Sequence, residues 1–409
     1  PGLWTLDNYG NKLIATIVDG ATFEWNSDAS TPTDTRATIV ANAPTAALKT
    51  LVSTPDRHLV FFGTETTIGT TATQDDMYIR WSDQESIDAT TSYAPSATNT
   101  AGTQRLADGT RIMGAIRGRD AIYIWTDTSL FIMRFVGAPF VFSFQQVGTN
   151  CGLIGKNAAV EVDGSAYWMS ENGFFRYTGR LESLACLVED YVYDDINTIP
   201  RNHIYAGLNN LFGEVTWFYP SSSGTSNNRS VTYNYMDSTP ERPVWTTSAL
   251  ARSSWSDSHI FGKPHGTEYD SSATSDSTVG NTDGVTTYFE HETGQDQLKA
   301  GTASAVAASI QSGDFDISAS QGGADLRGDG EYIMKIRRVL PDFLQQTGDA
   351  TITLNLKNYP TDAQASSSLG PFESTTSTTK IDTRARARAI ALKISNTDLG
   401  QHWKLGTFR

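Results

Sequence analysis

A tryptophan followed closely by a hydroxyl residue and an acid recurs along the 409-residue chain, and this constrains the fold more than any other feature. The phrases are Trp81-Ser82-Asp83, Trp125-Thr126-Asp127 and Trp255-Ser256-Asp257, with Trp168-Met169-Ser170-Glu171 as a looser version. Together with Trp217 they are spaced by roughly 40–50 residues, the length of a four-stranded propeller blade. A second repeat has the same character. Asp19-Gly20, Asp163-Gly164 and Asp283-Gly284 each precede an aromatic-rich run. Asp-Gly suits a tight hairpin because both residues tolerate positive φ.

Between these marks lie short, dense apolar runs: "KLIATIV" (12–18), "HLVFF" (58–62), "MYIRW" (77–81), "IMGAI" (112–116) and "VTWFY" (215–219). Their β-branched and aromatic content predicts strands. Helix is expected only over 183–196 and 45–52. The stretches 219–230 and 269–284 read as long polar loops. Near residue 300 the texture turns small and polar. Longer alternating runs follow at 332–343, 349–359 and 383–395. The reading is an all-β chain, an irregular β-propeller over 1–300 with an additional β-sandwich or platform domain over 301–409. Stacked β-sandwiches with coincidentally spaced tryptophans are the competing architecture.

A hydrophobic fraction of 38% and an aromatic fraction of 11% suffice for a packed core and argue against disorder. No run of about 18 apolar residues is present to span a membrane. The start lacks a charged-then-apolar leader, and Pro1 is not an initiator, so the expectation is a processed chain or part of a longer product. Two cysteines, Cys151 and Cys186, make no disulfide framework and fit a reducing compartment. The net charge of −14 disfavours gripping nucleic-acid phosphates over the whole surface.

Chemistry-bearing patterns are scarce. His58, His203, His259, His265, His291 and His402 are scattered, without HExxH or another metal-like spacing. There is no GxSxG elbow and no GxxxxGK[ST] loop. Asp314 and Asp316 lack the rest of a calcium loop. The acidic run 188–195 reads as a solvated or interface face. "VDGSAYW" resembles the structural turn of sialidase propellers, with Glu161 where the serine stands. Arg327-Gly328-Asp329 and the formal glycosylation site Asn228-Arg229-Ser230 carry no functional weight. The chain therefore reads as non-enzymatic, with no catalytic, cofactor-binding or metal residues and no cofactor. One charged device stands out. In an extended "TRARARAIALKI", Arg384, Arg386 and Arg388 share a face with Ile390, Leu392 and Ile394, and the alanines share the other. Such a ladder suits carboxylates of a neighbouring strand or subunit, or DNA phosphates.

The phrases "RWSD" (80–83), "IWTDTSL" (124–130), "YWMSENGFFRYTGR" (167–180) and "VYDDIN" (192–197) resemble the tail hub or nozzle proteins of short-tailed bacteriophages, some of them called packaged-DNA stabilisation proteins. The carboxy-terminal "RARARAIALKISNTDLGQHWKLGTFR" is similar to the end of such proteins, and about half the chain takes part in the resemblance. It implies a homohexameric ring below the portal and its adaptor, with a channel for genome retention and ejection. Tail fibres, spikes or a needle would attach to it, double-stranded DNA would pass through transiently, and no residue would be catalytic. The place would be the virion tail, assembled in the host cytoplasm. An acidic channel lining would repel the DNA backbone and let it slide. Two other readings stay open. One is a glycan-binding or glycan-degrading receptor-recognition propeller, with aromatics such as Trp217 or Trp255 stacked on sugars. The other is an intracellular interaction propeller. For Trp125 the expectation is burial between sheets, with Asp127 satisfying turn amides.

Overall fold

The computed structural model describes residues 3–29, 35–54, 56–257, 260–270, 284–299, 301–317, 332–359 and 367–406. They fall into two compact units, Pro1–His291 and Glu292–Arg409. The division falls before residue 300, because β-strands on both sides of that position, Asp296–Lys299 and Thr302–Ala305, belong to the second unit.

The first unit is a series of antiparallel meanders. Sheet one holds β1 (Trp4–Tyr9), β2 (Lys12–Ile17), β3 (Thr22–Asn26) and β4 (Thr38–Ile39). Sheet two holds β5 (Lys49–Ser53), β6 (His58–Phe62), β7 (Tyr78–Trp81) and β8 (Gly102–Arg105). Sheet three holds β9 (Ile112–Arg117), β10 (Ile122–Thr126), β11 (Ser129–Gly137) and β12 (Val141–Thr149). Sheet four holds β13 (Ala159–Val162), β14 (Ser165–Ser170), β15 (Gly173–Tyr177) and β16 (Leu181–Leu184). After the short helix α1 (Glu189–Asp195), sheet five holds β17 (Tyr205–Asn209), β18 (Glu214–Tyr219), β19 (Arg229–Asn234) and β20 (Trp245–Ser248). A three-stranded sheet follows, of β21 (Ser254–Ser256), β22 (His265–Asp270) and β23 (Val285–Glu290).

Successive sheets meet through their first strands: β1 lies against β5, β5 against β9, β9 against β13, β13 against β17 and β17 against β21. Four-stranded meanders joined this way are propeller blades, with first strands toward the axis and fourth strands at the rim. Exposure agrees, since the rim strands β4 and β20 are mostly solvent-facing while β6 and β10 are buried throughout. The chain is thus an irregular β-propeller with an additional β-unit.

The Asp163-Gly164 pair forms the two-residue loop between β13 and β14, with φ of 49° and 85°. Both angles lie where a type I′ turn needs them, and the Glu161 carboxylate accepts the Gly164 amide at 2.6 Å. Asp19 also has a positive φ of 58°, while Asp283 lies outside the described residues. Among the described residues α1, within 183–196, is the one α-helix, beside three-residue 3₁₀ turns at Thr71–Thr73 and Arg201–His203. The helix expected over 45–52 is instead the start of the inner strand β5, whose Thr50 hydroxyl bonds Thr16 at 2.7 Å in the neighbouring blade. Neighbouring strands on both sides override the local pattern there.

The second unit contains the hairpin β24 (Asp296–Lys299) and β25 (Thr302–Ala305). The remaining strands are β26 (Ala308–Gln311), β27 (Met334–Val339), β28 (Phe343–Thr347), β29 (Ala350–Lys357), β30 (Ser367–Ser374), β31 (Ile381–Ala387), β32 (Ala389–Asn396) and β33 (His402–Leu405). They pair as a sheet of order β26-β32-β29-β30 and as the two-stranded pairs β27–β31 and β28–β33. Ala350, Ile352, Leu354, Ala385, Ala387, Ile390 and Ile394 form its core. Residues 318–331, including Arg327-Gly328-Asp329, lie outside the described residues.

Candidate functional site

The recurring tryptophans build wall rather than pocket. Trp125, Trp168 and Trp217 occupy the second strands of blades three, four and five, and each is fully buried. Each faces a small residue across the pair: Gly114, Ala159 and Ala206. A small residue on the inner strand leaves room for an indole between neighbouring blades. Trp125 and Trp168 approach with centroids 5.3 Å apart, and Phe174 reaches Trp217 at 4.9 Å. One hydrophobic cluster therefore runs through three blades. The indole N–H groups add direction. Trp168 donates to the Cys151 carbonyl at 2.8 Å, and Trp217 to the Ala158 carbonyl at 3.0 Å. Trp125 Nε1 is buried without a hydrogen-bond partner.

Trp81 and Trp255 belong to other positions. Trp81 lies in β7, the third strand of its blade, and Trp255 in β21, a first strand. Spacing alone placed all five in one series, because it reports distance along the chain and not the strand number within a blade. What Trp81, Trp125 and Trp255 share is the device that follows them. Asp83 accepts the Thr100 amide at 2.8 Å and its hydroxyl at 2.7 Å, while Trp81 donates to the Thr100 carbonyl at 2.9 Å. Asp127 accepts the Thr110 amide at 2.8 Å and hydroxyl at 2.7 Å. Asp257 accepts the Asn210 amide at 2.7 Å. Asp83 thus closes its own β7–β8 connection, Asp127 holds the segment ahead of β9, and Asp257 reaches the β17–β18 loop of the preceding blade. The turn amides expected for Asp127, those of Thr128 and Ser129, are bonded by the Thr126 hydroxyl instead. Partial burial opposes the charge on Asp127, but the Thr110 hydroxyl and the Thr110 and Arg111 amides outweigh it and hold the carboxyl below its usual range. Gly152 lets another segment pass this clamp: a Cβ there would collide with the Asp127 carbonyl.

The inner strands are tied to one another. The Asp7 carboxylate of β1 accepts the Val52 amide of β5 at 2.7 Å and pairs with the Arg117 guanidinium of β9. Arg117 Nε donates to the Val52 carbonyl at 3.1 Å. Lys49, on the same inner strand, has its amine pushed down to about 8, by burial first and then by the charge of Lys156.

Four of the histidines, His58, His203, His265 and His291, have structural partners. His58 is fully buried, with Nδ1 3.0 Å from Asp56 and Nε2 3.1 Å from Thr100. His203 Nδ1 bonds the Thr225 carbonyl at 3.0 Å. His291 Nε2 accepts Arg252 Nε at 2.9 Å, which requires a neutral ring protonated on Nδ1. Burial, Arg252 and His265 push the His291 pKa down to about 4. His265 stacks on Tyr288, His402 lies in β33, and His259 is outside the described residues. Among the described residues no group of three His, Cys, Asp or Glu side chains is placed to hold a metal. Asp314 pairs with Lys357 at 2.6 Å. Asn228 bonds the Ser221 hydroxyl at 2.9 Å. Both cysteines are free thiols, and burial pushes Cys151 up to about 11 and Cys186 up to about 12. No described helix is long and apolar enough to cross a membrane.

The arginine ladder is shorter than the sequence suggests. Arg384 and Arg386 are exposed on β31, opposite the buried Ala385 and Ala387. At Arg388 the strand ends, the Arg388 amide donates to the Lys357 carbonyl at 3.1 Å, and β32 begins in the other sheet. The alternation slips by one residue there, so Ile390 and Ile394 join the alanines in the core instead of extending the ladder.

No protein-family model matches the chain, and no curated protein matches it in sequence. Among solved structures, it is similar to the AfRom2 CNH domain at 12% identity and a TM-score of 0.36, over 65% of this chain and 77% of that one. It is similar to BamB from Moraxella catarrhalis at 12% identity and a TM-score of 0.36, over 72% and 84%. Exo-β-1,3-galactanase from Phanerochaete chrysosporium aligns at 9% identity and a TM-score of 0.30, over 98% and 93%.

Proposed function

We propose that this chain is a structural subunit of a bacteriophage tail, a nozzle or hub ring that encloses the path of the genome. One observation carries the reading. The phrases that resemble tail hub and nozzle proteins fall on the parts that stiffen the propeller. "IWTDTSL" is the β10–β11 hairpin with its Asp127 clamp, and "YWMSENGFFRYTGR" is the β14–β15 hairpin with the Trp168 anchor. "RWSD" is the Trp81–Asp83 clamp, and "VYDDIN" closes α1. Trp81 and Trp125 pack on rings of the next blade, and Asp83 and Asp127 fix the connections beside them, which is what a rigid wall requires.

In this role the chain forms a homohexamer in the virion tail, assembled in the host cytoplasm. It sits below the portal and adaptor ring and carries fibres, spikes or a needle. Double-stranded DNA passes through without specific grip, because the negative net charge repels the backbone. The test is genome retention. Particles assembled without this chain should lose packaged DNA, and adding the purified protein back should restore retention. Full retention in its absence contradicts the proposal. Release of reducing sugar from host polysaccharide by the purified protein would favour the glycan-directed reading instead.

A further inference from the structure

The net charge of the chain is divided unevenly. Residues after His291 hold as many Lys and Arg as Asp and Glu, so the entire charge of −14 resides on the propeller unit. Within the neutral unit several cations share the exposed face of the β27–β31 pair. Lys335 stands opposite Arg386 in the β27–β31 pair, and the exposed Arg337 and Arg384 fall between Ile336↔Ala385 and Arg338↔Asp382. Lys335, Arg337, Arg384 and Arg386 have no ion-pair partner among the described residues. The acid of this face, Asp382, is already held by Arg338 at 3.0 Å and Lys380 at 3.1 Å. Tyr332 and Ile333, 61% and 51% exposed, lie just before β27.

The propeller offers a surface of the opposite kind. Around α1, Asp190 and Asp194 are exposed, and Leu187, Tyr191 and Ile199 are 77%, 54% and 91% exposed. Exposed apolar side chains beside unpaired charge mark an interaction surface. The two surfaces match in charge and in apolar content. We propose that the basic β27–β31 face of one copy docks on the α1 surface of the next copy. Such a contact joins two different patches, so it is head-to-tail and generates a ring when the rotation closes. The inference rests on the ring reading above and names the contact that builds it.

The test uses the full-length protein and mass photometry across salt concentrations. The wild type should self-associate, and less so as salt rises. Two charge-reversed variants, Arg384→Glu/Arg386→Glu and Asp190→Lys/Asp194→Lys, should each associate at least about 10-fold more weakly, since like charges now meet. Their thermal melts control for folding. A 1:1 mixture should recover assembly, because every contact in an alternating ring again pairs opposite charges. Wild-type assembly that either variant retains overturns this contact and leaves the ring reading standing. Loss in each variant without recovery in the mixture overturns α1 as the counter-surface. A wild type that stays monomeric at all concentrations overturns both. Duplex DNA binding that Arg384→Glu/Arg386→Glu abolishes, with assembly unchanged, assigns the face to phosphates and overturns the contact.

Discussion

Blades three to five and the second unit solve the same problem with different materials. In the blades, an indole on each second strand fills the space over a small inner-strand residue, and its N–H fixes orientation. In the second unit, alanines and isoleucines fill a smaller core, and the opposite face of β31 is left to exposed arginines. Large aromatics make a core rigid and leave their strands little freedom to present chemistry outward. A strand that alternates alanine with arginine gives up core volume and displays charge. The difference is that buried rings stiffen the propeller, while β31 trades core volume for displayed charge.

The largest expected effect tests the stiff part. Trp168→Ala should cost about 3–5 kcal/mol through the cavity it leaves, measured by urea unfolding. Trp125→Phe and Trp168→Phe sharpen this. Trp168→Phe removes a buried hydrogen bond and should cost about 1 kcal/mol more than Trp125→Phe, whose indole N–H has no partner. A Trp125→Ala cost below about 1 kcal/mol would mean an exposed ring and reopen the sugar-stacking reading.

Next in size is Ile352→Ala, expected to cost about 2–4 kcal/mol in the second unit. Because the two units have separate cores, the loss should appear in one of two unfolding transitions. A uniform shift of both transitions would break the comparison.

A smaller effect comes from pH. The His291 pKa is lowered to about 4 in the folded state, against a usual value of 6.5. The unfolded chain therefore binds the extra proton first as pH falls. Propeller stability should be full above about pH 6.5 and decline toward pH 4. His291→Gln should flatten that slope in thermal melts, and an unchanged slope would assign it to other groups. The smallest stability effect belongs to Arg384→Glu/Arg386→Glu, within about 0.5 kcal/mol, as for exposed side chains without partners.

Much of the propeller was legible in the chain. The runs over 12–18, 58–62, 112–116 and 215–219 fall on β2, β6, β9 and β18, because dense β-branched and aromatic stretches between turn residues have few alternatives. Asp163-Gly164 was readable because a two-residue turn needs positive φ at both positions. The tryptophan series was only half readable, since spacing cannot distinguish a second strand from a third. The strand over 49–53 was hidden because pairing with β6 and packing between β1 and β9 override its local pattern. The corner at Arg388 was hidden too. No glycine or proline marks it, and alternation across the break looks continuous until the core on each side is known. The clamps by Asp83, Asp127 and Asp257 were signalled by the shared Trp-hydroxyl-Asp phrase. Their partners at Thr100, Thr110 and Asn210 were not.

The central claim is that this chain builds an annular wall. Negative-stain imaging of the purified protein, alone and with the portal-adaptor and fibre proteins of the proposed tail, tests it most directly. Sixfold rings with an open centre are the predicted result. Compact single propellers under both conditions would contradict it.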